Sequence, residues 1–311
     1  MNRFKNILVV ATEDGALPTL LARAGALARM NDARLTLLGI VETPRVPRRL
    51  KLGDGEEIDF QRYLERTRRE ELSAFADTLD GVEITVDVAH GVGFVEVIRR
   101  VVHNGNDLVI IPAEPAGPRI GLMRASLTMH LLRKCPVPVW VDSDDDTLSA
   151  DVAVAVGAFD DDPDRDSLTV TLIELSASLA GLRGGTLHVI HAWRLVGESL
   201  LRRGRHRPPA NEVDAMVEDA YRTATRQLDE LVALAPDTGV PIETHLAKGD
   251  AGTVVPEMLD RLHPGVVVMG TLARAGLKGV FVGNTAESVL GSIEVPVLAM
   301  KPPGFETPVT I

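Results

Sequence analysis

A single cysteine, Cys135, stands in 311 residues. One thiol cannot form an intramolecular disulfide or a thiolate zinc cage, and it fits a chain kept in a reducing cytoplasm. Long apolar runs are missing too. The N-terminal run of MNRFKNILVVATED breaks at Glu13 and Asp14, too early for a signal-peptide core with a cleavage site, and no segment reaches the length of a membrane span. Positive charge is in deficit: 33 Lys and Arg against 44 Asp and Glu give a net charge of -11. That balance repels a phosphate backbone and argues against nucleic acid as a partner. No Gly-x-Ser-x-Gly elbow, lysine-bearing P-loop or His-Glu-x-x-His motif occurs. Nothing in the chain demands covalent catalysis, and no catalytic residue is assigned.

What is present is enough apolar residue, 45% against 25% charged, for soluble cores, at a length suited to two domains. The chain repeats itself. His90-Gly91 recurs as Lys248-Gly249, DLVIIP from Asp107 as GVVVMG from Gly265, and VPVWV as VPVLA, pairing Pro138 with Pro296, all at one constant separation. Upstream, LTLLGIVE at Leu35 matches LHVIHAWR at Leu187 and ILVVAT at Ile7 matches VAVAVG at Val152, at shorter separations. The second half therefore carries insertions.

Apolar runs of strand length alternate with helical periods, which predicts an α/β fold with a parallel sheet covered on both faces in each half. Leu72, Phe75, Ala76 and Leu79 form one helical stripe, and Leu228, Leu231, Val232 and Ala235 repeat it. VDSDDDTLSAD, Val141 to Asp151, has four aspartates within five positions and reads as a solvated linker. The expected domains are 1–146 and 147–301, followed by a tail, 302–311.

In such a sheet a ligand binds beyond the carboxyl ends of the strands, where successive connections leave toward opposite faces. For the second half that places the loop at Gly157-Ala158 beside the loop Gly270-Thr271-Leu272-Ala273-Arg274 and the segment Gly283-Asn284-Thr285. Glycines there would let backbone amides approach an anion. An equally good reading makes Gly270 a tight strand exit and Gly283-Asn284 a turn and helix cap.

The strand ending in Gly270-Thr271, the helix start Gly283-Asn284-Thr285-Ala286-Glu287 and the following Val295-Pro296-Val297 resemble the universal stress protein family over essentially the whole chain. HLLRKCPVPVW (His130 to Trp140), VFVGNTAESV (Val280 to Val289) and KPPGFETPV (Lys301 to Val309) are similar to its tandem, E-like branch. The resemblance implies two tandem Rossmann-like domains, of the adenine nucleotide alpha hydrolase type, each a five-stranded parallel sheet. It also implies a pseudo-twofold in which the last strands, Val137 to Val141 and Val295 to Met300, pair as an intramolecular pseudo-dimer; further dimerisation stays open.

The family's ATP-binding members carry G-x2-G-x9-G-[S/T] after the fourth strand and an aspartate at the end of the first. Here Gly270 and Gly283 fit, whereas Ala273, Asn284 and Gly157 depart from the pattern. In the first half the matching positions are Pro112, Pro115, Ala125 and Ser126, with Thr12 in place of the aspartate. Proline removes an amide donor. The second half is therefore the better candidate for ATP or another adenine nucleotide, through Gly157, Ala158, Ala192, Gly249, Gly270, Thr271, Arg274, Gly283, Asn284 and Thr285.

Three further features carry weaker signals. The aspartate run from Asp160 to Asp166 lacks the glycine and glutamate of a calcium loop and reads as helix capping by Asp166 or Ser167, so no metal site is assigned. Basic loops follow both second strands, with Arg45, Arg48, Arg49 and Lys51, and with Arg202, Arg203, Arg205 and Arg207. The second could fold over an anionic headgroup or simply be solvated. His188 and His191 lie on one strand at an odd separation, face opposite sides and read as structural.

The expected protein is a non-catalytic, cytoplasmic stress-response protein that binds an anionic metabolite in its second half. The rival is an interaction module without ATP binding, engaging a protein partner or an amphiphilic ligand.

Overall fold

A computed structural model of the chain describes residues 3–12, 17–44, 48–53, 55–113, 127–143, 148–157, 163–271, 284–290 and 295–310; the side chains of 163–165, 284–285 and 287 stand outside that description. The chain divides into two compact units, one comprising Met1–Asp146 and the other built on Thr147–Leu277, with Phe305–Ile311 grouped with the first.

In the first unit the order is β1 (Asn6–Ala11), α1 (Leu17–Asn31), β2 (Arg34–Val41), β3 (Arg49–Lys51), β4 (Glu57–Asp59), α2 (Phe60–Ala76), β5 (Ile84–His90), α3 (Gly93–Asn104), β6 (Leu108–Pro112), α4 (Leu127–Lys134) and β7 (Val139–Asp142). Its sheet runs β7-β6-β1-β2-β5 and every pairing is parallel. β1 sits at the centre and is buried along its whole length, as a strand covered on both faces must be. The basic loop after β2 holds a small antiparallel hairpin, β3 with β4. Asp59 then caps α2, its carboxylate accepting from the backbone amides of Gln61 and Arg62.

The second unit repeats the plan: β8 (Val152–Val156), α5 (Pro163–Arg183), β9 (Leu187–Trp193), α6 (Glu198–Arg203), α7 (Ala210–Val232), β10 (Ile242–Lys248), α8 (Ala251–Leu262), β11 (Val266–Gly270), α9 (Asn284–Leu290) and β12 (Val297–Met300). Its sheet order, β10-β9-β8-β11-β12, again has the first strand at the centre and all neighbours parallel. Both sheets thus change direction between their first and fourth strands, which is where a ligand cleft is expected.

Several local expectations are corrected. α5 starts at Pro163, a residue well suited to a first helical position, so Asp166 and Ser167 lie inside the first turns and do not cap it. Leu72, Leu228 and Leu231 are buried as the helical stripes require, but Leu79 and Ala235 fall beyond the ends of α2 and α7. Pro256 lies within α8 and removes the amide that would bond to the Gly252 carbonyl; the Ser288 hydroxyl of α9 donates to that carbonyl instead, at 3.3 Å.

The segment read as a solvated linker begins as strand. Asp142 ends β7 and is only 5% exposed, bound by Arg23 Nη1 at 3.0 Å and by Trp140 Nε1 at 3.4 Å; the same guanidinium donates to the Ser143 carbonyl at 2.6 Å. Burial raises its carboxyl above the ordinary range, and the Arg23 charge offsets this only in part.

A raised folded-state pKa means that Asp142 contributes stability in full below its unfolded value, near about 4, and loses it as pH rises through the folded value. Asp142→Asn removes that dependence. In denaturant titrations the stability of the variant relative to the parent should therefore improve from pH 4 to pH 7, and a difference that stays constant across that range would contradict the assignment.

Candidate functional site

At the carboxyl edge of the second sheet, Val156 lies opposite His191, and Ala155 opposite Met269. Continued along the strands, these registers bring Gly157, Ala192 and Thr271 to the same level, and Ala192 is paired in turn with Ala247, just before Lys248-Gly249. Gly157, Ala192, Gly249, Gly270 and Thr271 therefore share one edge. Ala158, Arg274 and Gly283 lie outside the described residues. Asn284 and Thr285 open α9.

These residues are unequal in what they can offer. Gly157 is exposed, and a Cβ placed on it would meet nothing within 4 Å. The Gly249 amide donates to the Trp193 carbonyl at 2.8 Å; at φ +154 it has a backbone that L side chains rarely adopt, and a Cβ there would stand 2.7 Å from Val254 Cγ2. A Cβ on Gly270 would come within 3.1 Å of Leu168 Cδ2, so this glycine admits the close approach of α5. Thr271 is fully buried and directs both its amide and its hydroxyl to the Met300 carbonyl, at 3.0 and 3.3 Å. Gly270 and Thr271 thus serve strand exit and helix packing.

The same edge carries groups that the glycine pattern does not reveal. Trp193 ends β9, its ring 5.4 Å from that of Tyr221 on α7, and Lys248 Nζ stands 5.6 Å from the Trp193 centroid. Lys248 also bonds Glu198 at the start of α6, and Arg202 binds Glu198 and Asp214, both at 2.9 Å. Hydrogen bonds from Lys248 and then from Arg202 hold the Glu198 carboxyl below its ordinary pKa. Arg203, Arg205 and Arg207 are exposed and form no ion pair with a described residue. Trp193 and Lys248 could have been suspected from the sequence, since each closes a strand at its carboxyl end.

In the first unit the end of the central strand is met by a guanidinium. Arg68 of α2 reaches over Gly39 and donates through Nη2 to the Ala11 carbonyl at 3.0 Å and the Thr12 carbonyl at 3.4 Å. Its Nη1 pairs with Glu71 at 2.7 Å. In the second unit the end of the central strand is met by an imidazole. His191 is buried with Nδ1 3.1 Å from the Val156 carbonyl, which can only accept, so that nitrogen carries the proton. Of the first-half positions matched to the nucleotide motif, Pro112 ends β6, while Pro115, Ala125 and Ser126 lie outside the described residues, as does Arg45 of the first basic loop.

The family model described as "Universal stress protein family" matches residues 3–142 and again 156–301. The chain belongs to the universal stress protein family. Universal stress protein E of Escherichia coli is 30% identical over 237 residues, 74% of this chain and 72% of that protein. The Haemophilus influenzae homolog of universal stress protein E is 25% identical over 312 residues, 96% of this chain and 98% of its own. A crystal structure of a Pseudomonas aeruginosa protein described as functionally unknown matches with a TM-score of 0.67 at 25% identity, covering 97% of this chain and 94% of that one. The present molecule is thus a tandem universal stress protein with two family domains in one chain. Among its described residues no helix is long and apolar enough to cross a membrane.

Within this tandem universal stress protein, Arg68 sets the two carboxyl edges apart. It is 11% exposed and bonds two carbonyls and a carboxylate. Arg68→Ala should cost about 2 kcal/mol in chemical denaturation through the orphaned carbonyls and the lost packing. A loss below roughly 0.5 kcal/mol would show the guanidinium to be a bystander.

Proposed function

We propose that this tandem universal stress protein is a non-catalytic, cytoplasmic stress-response protein, regulatory or protective in role. Its second unit takes a nucleotide or a related anionic metabolite at the carboxyl edge of its sheet. One observation carries the reading: the edge where Gly157 and Ala192 come level, with Gly249 two residues beyond their level, also holds an aromatic pair, Trp193 and Tyr221, and Lys248 there bonds Glu198 of the helix that leads into the basic segment of Arg203, Arg205 and Arg207. Aromatic faces suit a base and guanidinium groups suit phosphates. The first unit is the poorer candidate, because Pro112 and Pro115 stand at its motif positions and proline offers no amide donor to an anion.

The chemistry favours weak or altered binding over a tight ATP site. Gly157 supplies no carboxylate, Ala273 adds a methyl where the family motif has glycine, and the donors of Thr271 are already used by Met300. A second reading rests on a different observation. Val196 is 81% exposed and Leu200 76% exposed, next to Arg202 and Arg203. An apolar surface bordered by cations also suits an amphiphilic ligand or a protein partner without any nucleotide.

Native mass spectrometry of freshly purified chain, with and without ATP, separates the two readings when combined with thermal unfolding. The nucleotide reading expects an ATP adduct and a raised melting temperature, both reduced severalfold by Arg203→Glu with Arg205→Glu. Neither adduct nor shift removes it in favour of the interaction module; an adduct that ignores the charge reversals removes the basic segment from the site.

A further inference from the structure

The amino-terminal end of the second sheet holds a separate set of side chains. His188 is the second residue of β9, and the parallel register places Glu243 of β10 directly opposite it. The two-residue period of a strand then returns His245 to the same face. β10 is the edge strand of this unit's sheet, Glu243 is exposed and His245 half-buried, so the cluster is reachable from solvent although His188 itself is buried. It lies at the opposite end of the strands from Gly157 and Thr271.

The donor atoms converge. His188 Nδ1 is 3.1 Å from His245 Nε2 and 3.5 Å from Glu243 Oε2, and one ligand atom from each residue fits within a mutual separation of 4.8 Å. A tetrahedral ion with nitrogen and oxygen ligands at about 2.0–2.2 Å requires donor atoms roughly 3.3–3.5 Å apart. Two of the spacings are therefore within a few tenths of an ångström of those values. We propose that His188, Glu243 and His245 bind a divalent transition-metal ion, zinc in the first instance, with the remaining position open to water.

A plain hydrogen bond between the two imidazoles would account for the His188–His245 contact alone. It leaves unexplained the carboxylate on each side of His188. Glu243 faces Nδ1, and Asp151 Oδ2 stands 3.9 Å from Nε2, with Asp151 itself fixed by the Thr186 amide at 2.8 Å and the Ser149 hydroxyl at 2.9 Å. A metal-ligating histidine characteristically directs its other N–H toward such a carboxylate, which frees the facing nitrogen as a lone-pair donor. The Arg261 charge opposes a cation here, and the Glu243 carboxylate counters it. Imidazole with carboxylate is a donor set that suits zinc better than calcium or magnesium. The ion would clip the edge strand β10 to β9. Considering His188 only with His191, which faces the other side, conceals this group; the pairing of β9 with β10 reveals it.

The test uses the full chain after dialysis against EDTA, titrated with zinc chloride by calorimetry and by thermal unfolding. One ion per chain should bind, and zinc at a hundredfold excess over its Kd should raise the melting temperature by on the order of 5 °C. His245→Ala should weaken binding at least 100-fold and Glu243→Gln about tenfold, each with the unfolding profile of the metal-free parent. His90→Ala, at the exposed His90–Glu65 pair of the first unit, should leave binding unchanged. Absence of zinc binding, or binding that survives both His245→Ala and Glu243→Gln, would overturn the site.

Discussion

A parallel strand buried on both faces leaves its chemistry only at its ends, and each unit is arranged around that constraint. β1 and the other central strand, β8, are almost wholly aliphatic and inaccessible. Helices cover the sheet faces, so whatever either unit recognises must be gathered at a strand terminus. In the second unit the carboxyl ends assemble glycines, an aromatic pair and basic side chains, while the amino ends assemble two imidazoles and a carboxylate. The two groups are kept apart by the length of the strands themselves.

The same constraint explains how two copies of one fold can diverge without losing it. The carbonyls at the end of a central strand need partners once they leave the ladder. The first unit supplies Arg68, with Gly39 leaving room beneath it; the second supplies His191, which satisfies Val156 and leaves Gly157 open. Arg68 is a long charged side chain drawn across its edge, whereas His191 is a short ring held on the neighbouring strand.

The strand plan was legible because short continuous apolar runs, such as LVIIP and its repeat VVVMG, alternate with segments of helical period, as buried parallel strands joined by helices do. The β3–β4 hairpin and α6 were not legible: they are three to six residues long, rich in charge, and carry no period. Asp142 was misread because four neighbouring aspartates look solvated, and only the strand pairing and Arg23 make the first of them an interior group. At the carboxyl edge of the second sheet, the glycine positions could be placed from the topology, but whether each glycine faces open space or a helix is decided by contacts such as Leu168 on Gly270. Ala158, Arg274 and Gly283 stand outside the described residues. The His188–Glu243–His245 group depends on a cross-strand register, which no single segment records.

The proposed function places ligand binding at the carboxyl edge of the second unit alone. Hydrogen–deuterium exchange of the full chain with and without saturating ATP tests it most directly. Slowed exchange is expected in peptides containing Gly157, Ala192 to Trp193 and Gly249, with no change around Ala11 and Thr12. Protection at Ala11 and Thr12, or unchanged exchange at all of these positions, would contradict it.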